Sequence, residues 1–450
     1  MRRSALVGSL SLVASPFLFG AGCASTPPPP VWHAIPAANL DRDLSLDEAI
    51  ALARGSDLRG AAWRARKDAA CAAVSSASAI PNPSLILEWE GLGLHDAGTN
   101  LASMKAGISY PILFWVPRRH RMAAAARGRE AEDWAVKAED RTLVTEVGAA
   151  WYGLLADQRR VVISSQRAAG AHEALGLAKK AETAGVRTGF EVERASAEAL
   201  EADGDAADAA ATLRRDQLSF AFALGADRPA RPRALDPRGA DPGAASAPLE
   251  PLDALPESPP EAVFASALAD DPSASKAHSL VAQAEAELHV QQVGAMPFSG
   301  VTAAGGAKSE PGVGTGGAAG LEIPLPIFDR NRPGIVAAHA ALLSAQAAEE
   351  QARRQVAADL SGDWERVRAA SAKYDRYAHP LTELRRRAER SARRLYEAGQ
   401  SEQGDWLQAR RDLRAAETAE VDAWRDAVVA RFTLDAALGR HDPGASSPAR

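Results

Sequence analysis

The chain has 450 residues, a formal net charge of −6 and only 5% aromatic residues. That balance supplies no basic field for nucleic acid, and no base-reading module is present. The 46% hydrophobic content is heavy in alanine, which suits closely packed helices, and beyond the leader no apolar run approaches the ~20 residues of a membrane-spanning helix.

Residues 1–22 read as a leader. Met1-Arg2-Arg3 is a positive start, and Ala5 to Gly22 an apolar run ending in small residues. Gly20-Ala21-Gly22-Cys23 resembles the bacterial lipoprotein cleavage box, with Cys23 as the acylated residue and Ala24 as found in lipoproteins sent to the outer membrane. Gly20 stands where that box usually has leucine; an ordinary cleaved leader with an incidental cysteine is the competing reading. The only other cysteine, Cys71, falls in a helical pattern, so no intrachain disulfide framework is implied. Residues 23–43 add a stiff proline-rich spacer from Thr26 to Pro30.

Residues 46–78 form a helical pattern, with Ser45 as N-cap ahead of Asp47 and Glu48, stopped by Pro81-Asn82-Pro83. The period then changes from 3.6 to 2. Leu85, Leu87 and Trp89 alternate with Ile86, Glu88 and Glu90, and Ala102, Met104, Ala106, Ile108 and Tyr110 with Ser103, Lys105, Gly107 and Ser109. Two strands are expected, at about 84–92 and 102–111, each close to the ~9–11 residues that cross a bilayer when tilted. Tyr110, Phe114 and Trp115, with Phe328 at the equivalent place later, resemble an interfacial aromatic belt. A small soluble hairpin packed on helices is the alternative. No proline occurs from Arg118 to Arg228; a helical pattern runs to about Thr183, breaks at Gly185 to Gly189 and resumes to Leu224.

A proline- and alanine-rich linker (226–257) follows, and then the plan returns. Residues 258–439 repeat residues 44–225 at a shift of 213–214: Ala184-Gly185 falls on Ala398-Gly399, Ala223-Leu224-Gly225 on Ala437-Leu438-Gly439, and Pro83 on Pro297. Strands are expected at about 298–307 and 316–324, and Pro380 should kink the second descending helix. The tail, 440–450, reads as disordered. The helices after each break carry a strict 3-4 stripe. The first is Val192, Ala195, Ala199, Ala202, Ala206, Ala209, Leu213, Asp216, Phe220 and Ala223; its copy runs from Trp406 to Ala437. Such a period is a supercoiled seam with alanine knobs.

These residues resemble the TolC-like outer-membrane efflux factors across roughly 44–439. The turn signatures are Ala184-Gly185 with Glu191-Val192, and Tyr396-Glu397-Ala398-Gly399 with Asp405-Trp406-Leu407. Ile323-Pro324-Leu325-Pro326-Ile327-Phe328-Asp329-Arg330-Asn331 is similar to the strand-to-helix segment of the cobalt–zinc–cadmium resistance branch. The resemblance implies a mostly α fold with a small membrane β-barrel: a homotrimer with twelve strands above and a periplasmic coiled-coil tunnel below. Two hairpins cannot close a barrel alone, and open edges are not tolerated in lipid, so oligomerisation also follows from physics. The resemblance further implies a passive, non-enzymatic duct for heavy-metal cations, working with a periplasmic adaptor and an inner-membrane RND pump. The covalent lipid on Cys23 would be its only attached group. Its tip and adaptor-docking residues would be Gly185, Gly189, Glu191, Gly399, Ser401 and Gly404, and its pore gate Asp405, a ring of three carboxylates. Gln408 stands where some members carry a second acid. Thr188-Gly189-Phe190-Glu191 reads as a capping box that explains Glu191 by itself; helix-dipole placement competes for Asp405. A small-molecule efflux duct of the same fold, and a poreless coiled-coil envelope lipoprotein, are the alternatives.

Other motifs fail on context. Gly314-Thr315-Gly316 precedes a strand rather than a helix, Ser273 to Lys276 lacks partner motifs, and the nine histidines show no paired ligand spacing, so no metal site is claimed.

Overall fold

The computed structural model describes residues 35–90, 103–186, 188–235, 255–257, 259–296, 300–310 and 313–441. The leader, Cys23, most of the linker and most of the tail lie outside the described residues.

Two short helices open the described chain. Ser45 caps α1 (Leu46–Gly55) in a full capping box: its hydroxyl accepts from the Glu48 amide at 3.3 Å, and its own amide donates to Glu48 at 3.0 Å. The pattern expected one helix to residue 78, but Ser56 (ψ 122°) breaks it before α2 (Asp57–Ser78). Ser56 is buried at that break and packs on Gly225, where a methyl group would sit 2.8 Å from the Ser56 hydroxyl.

The linker is less irregular at its start than its composition suggests. Arg233–Ala234 (β4) pairs in parallel with Asp43–Leu44 (β1). Gln158 brackets Ala234 from the side, accepting from its amide at 2.8 Å and donating to its carbonyl at 3.1 Å.

One antiparallel sheet is built in the order β2-β3-β5-β6, from Ser84–Glu90, Ser103–Pro111, Thr302–Glu310 and Gly314–Glu322. The two repeats join through the β3–β5 ladder. The second hairpin departs from the expected 298–307 and 316–324, starting four residues later in its first strand and two earlier in its second. Its strands are rich in glycine and alanine, so alternation marks their ends poorly; the turn at Gly314 (φ 113°) and pairing of Thr302 with Pro111 set them instead.

The remainder is helical. The chain descends through α3 (Trp115–Thr183), whose 69 residues span about 100 Å, and ascends through α4 (Gly189–Leu224). In the second repeat α5 (Glu261–Ala269) and α6 (Pro272–Gly294) precede the sheet; α7 (Arg332–Arg376) and α8 (Thr382–Glu397) descend, and α9 (Gln403–Ala437) ascends. Pro380 falls in a π-type turn, Tyr377–Leu381, between α7 and α8. Proline has no amide to donate, and the widened turn is where the ladder absorbs that loss. Beside the sheet the helices lie in the sequence α2, α3, α6, α7; towards the hairpin tips the sequence is α4, α3, α9, α8.

The largest core lies where both repeats meet: Leu143, Val147, Trp151 and Leu154 of α3 pack with Phe220 and Leu224 of α4 and Val421, Trp424, Val428 and Phe432 of α9. Trp151 is fully buried and donates its indole N–H to the Leu44 carbonyl at 2.9 Å. The expected alanine seam is buried at Ala195, Ala199 and Ala202 of α4 and at Ala416, Ala423, Ala427 and Ala430 of α9, while Ala223 is exposed. Among the described residues no helix is long and apolar enough to cross a membrane.

Candidate functional site

The sheet separates two chemistries. Leu85, Leu87 and Trp89 lie opposite Ile108, Ala106 and Met104, and the row continues through Gly305, Ala307, Ala319 and Leu321. Leu85 and Ile108 on this apolar face are 72% and 57% exposed, a wasteful arrangement in water. The other face is a charge ladder: Lys105 to Glu88 at 2.9 Å, Lys308 to Glu90 at 3.0 Å and to Glu310 at 2.8 Å. Glycine permits a close approach on this polar face. A side chain at Gly107 would come within 2.8 Å of the Gly305 carbonyl, and one at Gly306 within 2.5 Å of the Gly107 Cα, whereas Gly305 on the apolar face meets nothing. The close approach is local to the Gly107–Gly306 pair: Gly316 and Gly320, on the same face of β6, meet nothing within 4 Å. The outer edges of β2 and β6 are unpaired among the described strands.

The helical hairpins end in two matching turns. Gly185 and Gly399 adopt φ 70° and 71°. Around Gly185, its amide bonds the Glu182 carbonyl at 2.8 Å and the Val186 amide bonds Ala181 at 3.0 Å; around Gly399 the equivalents are Tyr396 at 3.0 Å and Gln400 to Leu395 at 2.9 Å. Both are Schellman caps, which need a left-handed residue after the helix and hence glycine. The same cap closes α4 at Gly225 and follows α9 at Gly439.

Asp405 sits in the first turn of α9, exposed, with no hydrogen bond or ion pair to any described residue. Neither Glu402 nor any other side chain caps that helix, so no capping role accounts for Asp405. Gln408 donates to Asp412 at 2.9 Å and faces no second acid of the gate kind. The capping box expected at Thr188 does not form: its hydroxyl makes no cap bond, and the Glu191 amide bonds the Thr188 carbonyl instead, at 3.1 Å. Glu191 itself is half-buried. A methyl at Gly404 would sit 2.7 Å from the Arg194 guanidinium, so glycine here leaves room for that side chain. Gly189 is likewise close to Glu182, at 3.0 Å. The Ser401 hydroxyl oxygen is buried and finds no hydrogen-bond partner.

Above the tip lies a group that periodicity alone does not single out. Trp406 stacks on Tyr396 with ring centroids 5.2 Å apart, donates to Glu389 at 3.0 Å, and carries Arg410 over its ring at 5.3 Å. A cavity of about 170 Å³ opens beside it, lined by Glu173, Glu389, Arg393 and Arg410. Burial, then repulsion from Arg414, pulls the Arg410 pKa below the usual arginine value. Arg167 is drawn down to about 10, again mainly by burial. Glu198 of α4, almost wholly buried, ties this layer to α9 through Arg411 at 2.9 Å and Arg414 at 3.3 Å. No cluster of three or more metal-ligating side chains occurs among the described residues, and no nucleophile–base pair stands out.

Comparison with known proteins places these features in a family. The family model described as outer membrane efflux protein matches residues 49–226 and 263–440, one segment per repeat. The cobalt-zinc-cadmium resistance protein CzcC of Cupriavidus metallidurans is 27% identical over 301 residues, 66% of this chain and 66% of CzcC, a little under two thirds of each. Among solved structures, CusC superposes with a TM-score of 0.73 at 15% identity, covering 91% of this chain and 95% of CusC. VceC of Vibrio cholerae gives 0.69 at 19% identity, covering 88% and 96%, and the outer-membrane channel OprN 0.69 at 18%, covering 91% and 97%. At these identities the structures speak to the fold.

Proposed function

Since the chain belongs to the outer membrane efflux protein family, we propose that three copies assemble into a passive duct through the bacterial outer membrane and the periplasm beneath it. The observation that carries this reading is the four-stranded sheet, apolar on one face, charged on the other and unpaired at both edges among the described strands. Lipid does not tolerate free edges, so the sheet must close on copies of itself; three copies give twelve strands around a polar lumen. The helical rows continue downward to the hairpin tips.

At the tip, Asp405 has no partner among the described residues and becomes a ring of three carboxylates in a trimer, a constriction that attracts cations. The tip turns, with Gly185, Gly189, Glu191, Gly399, Ser401 and Gly404, are the surface for a periplasmic adaptor, which links the duct to an inner-membrane RND pump. Cys23 carries the lipid anchor. The cargo is heavy-metal cations: the segment 323–331 and the alignment with CzcC support that choice over a small-molecule duct. No chemistry is catalysed; transport is powered by the pump. Deleting the gene and scoring growth against zinc, cobalt, cadmium and copper tests the cargo. Heightened sensitivity to at least one metal, restored by the intact gene, is expected; unchanged sensitivity to all four overturns the metal assignment.

A further inference from the structure

The helical wall ends on α4 at one side and α8 at the other, and these flanks carry opposite charge. Between residues 189 and 213, α4 has seven acids against the single base Arg194; α8 has six arginines against three acids. Within the chain the two helices share no packed face: α4 rests on α3, and α8 on α9.

The side of α4 turned away from α3 presents Phe190, Glu193, Leu200 and Glu201; Phe190 and Leu200 are 70% and 71% exposed. Glu193 and Glu201 bond to no described residue. On α8 the side turned away from α9 presents Leu384, Arg387, Arg394 and Leu395. Among the described residues Arg394 reaches only a backbone carbonyl, that of Arg390, and Arg387 shares the Glu383 carboxylate with Arg386 and Arg390.

Heights above the tip decide whether these groups can meet. At 1.5 Å per residue, Glu193 and Glu201 stand about 6 and 18 Å above the start of α4. Arg394 and Arg387 stand about 4 and 15 Å above the end of α8. The apolar residues fall in the same order: Phe190 level with Leu395 at the tip, and Leu200 between the levels of Arg387 and Leu384. One chain thus carries both halves of a matched surface on opposite flanks, the requirement for a head-to-tail interface that closes by rotation.

We infer that the seam closing the helical wall is a charge-coded contact in which α8 of one copy seats on α4 of the next, Arg394 facing Glu193 and Arg387 facing Glu201. The inference rests on the trimeric reading above. Its partner is a second copy of this chain, and the code selects against neighbours of like charge on these flanks.

The test uses the full-length trimer in detergent and three chains: wild type, an acid-reversed chain (Glu193→Arg with Glu201→Arg), and a fourfold chain that adds Arg387→Glu and Arg394→Glu. Raising salt from about 0.1 M to about 1 M shortens the screening length from ~10 to ~3 Å. The wild-type trimer should weaken with salt and the acid-reversed trimer should strengthen. At low salt the acid-reversed chain should associate at least about tenfold more weakly than wild type. The fourfold chain should trimerise with itself, yet fail to co-purify with tagged wild type. Equal low-salt stability, the same sign of salt response in wild type and acid-reversed chains, or mixing of the fourfold chain with wild type overturns the inference. A wild-type chain that is monomeric at every salt concentration overturns instead the trimeric duct on which it rests.

Discussion

Gly306→Ala tests the junction of β3 and β5 at its tightest point. The added methyl would lie 2.5 Å from the Cα of Gly107 and nearer still to the Ala106 carbonyl oxygen, whereas ordinary contact begins at 3.4 Å. Strand β5 must therefore retreat from β3 by at least about 0.9 Å (3.4 − 2.5). Both obstacles are backbone, so no rotamer change relieves them. Overpacking of this kind costs about 1–3 kcal/mol, and stretching a flanking pair of ladder bonds adds about 1 kcal/mol each. The β3–β5 ladder is the junction between repeats, and it recurs in every copy, so in a trimer the penalty is incurred three times. Gly305→Ala is the internal control, because a methyl there meets nothing within 4 Å. The assay is the fraction of protein that resists unfolding in SDS at room temperature, followed by urea titration. Gly306→Ala should lose most of its resistant fraction or shift its midpoint strongly downward, with Gly305→Ala near wild type. Equal behaviour of the two variants would refute the close approach of β3 and β5.

Two further perturbations address the helical body. Burial, ahead of the opposing pull of Arg160, raises the Asp157 carboxyl pKa above its ordinary value of 3.8. A raised acid pKa means the folded chain binds the proton more tightly than the unfolded one, so stability falls as pH climbs through that raised value and stays lower above it. Asp157→Asn should therefore gain in melting temperature relative to wild type more at pH 7 than at pH 4, and a difference independent of pH would contradict this. Gly399→Ala places a side chain at φ 71° with open space around it, so its cost is conformational alone, about 1–2 kcal/mol. Hydrogen exchange should report faster opening of the last turn of α8, and Gly185→Ala should do the same for α3; unchanged protection would mean that the caps carry no strain.

The repeat was legible because its landmarks are geometric necessities. Gly185, Gly225, Gly399 and Gly439 all take a positive φ in the same cap, so the copies could not drift there without losing a helix end. The first hairpin was legible because Leu85 to Trp89 and Met104 to Tyr110 alternate; the second was misplaced because Gly305, Gly306, Gly316 and Gly317 have no side chain to show a face. Ser45 and Thr188 begin similar-looking capping boxes, yet only Ser45 forms one. The motif is the same in both places, so the sequence alone does not separate them. The break at Ser56 packs on Gly225, 169 positions away in the chain, a neighbour that the local pattern does not show. Glu198 joining Arg411 and Arg414, and Arg410 lying over Trp406, are likewise tertiary contacts between helices that periodicity treats separately. Asp405 was named by the family resemblance, and the structure adds that it is exposed and has no partner among the described residues.

The central claim is that this chain is a conduit, and conductance of the purified protein in planar bilayers tests it most directly. Wild type should give discrete, cation-selective steps, and Asp405→Ala should conduct more while selecting cations less. Silence from both proteins, with folding verified by resistance to SDS, would contradict the duct.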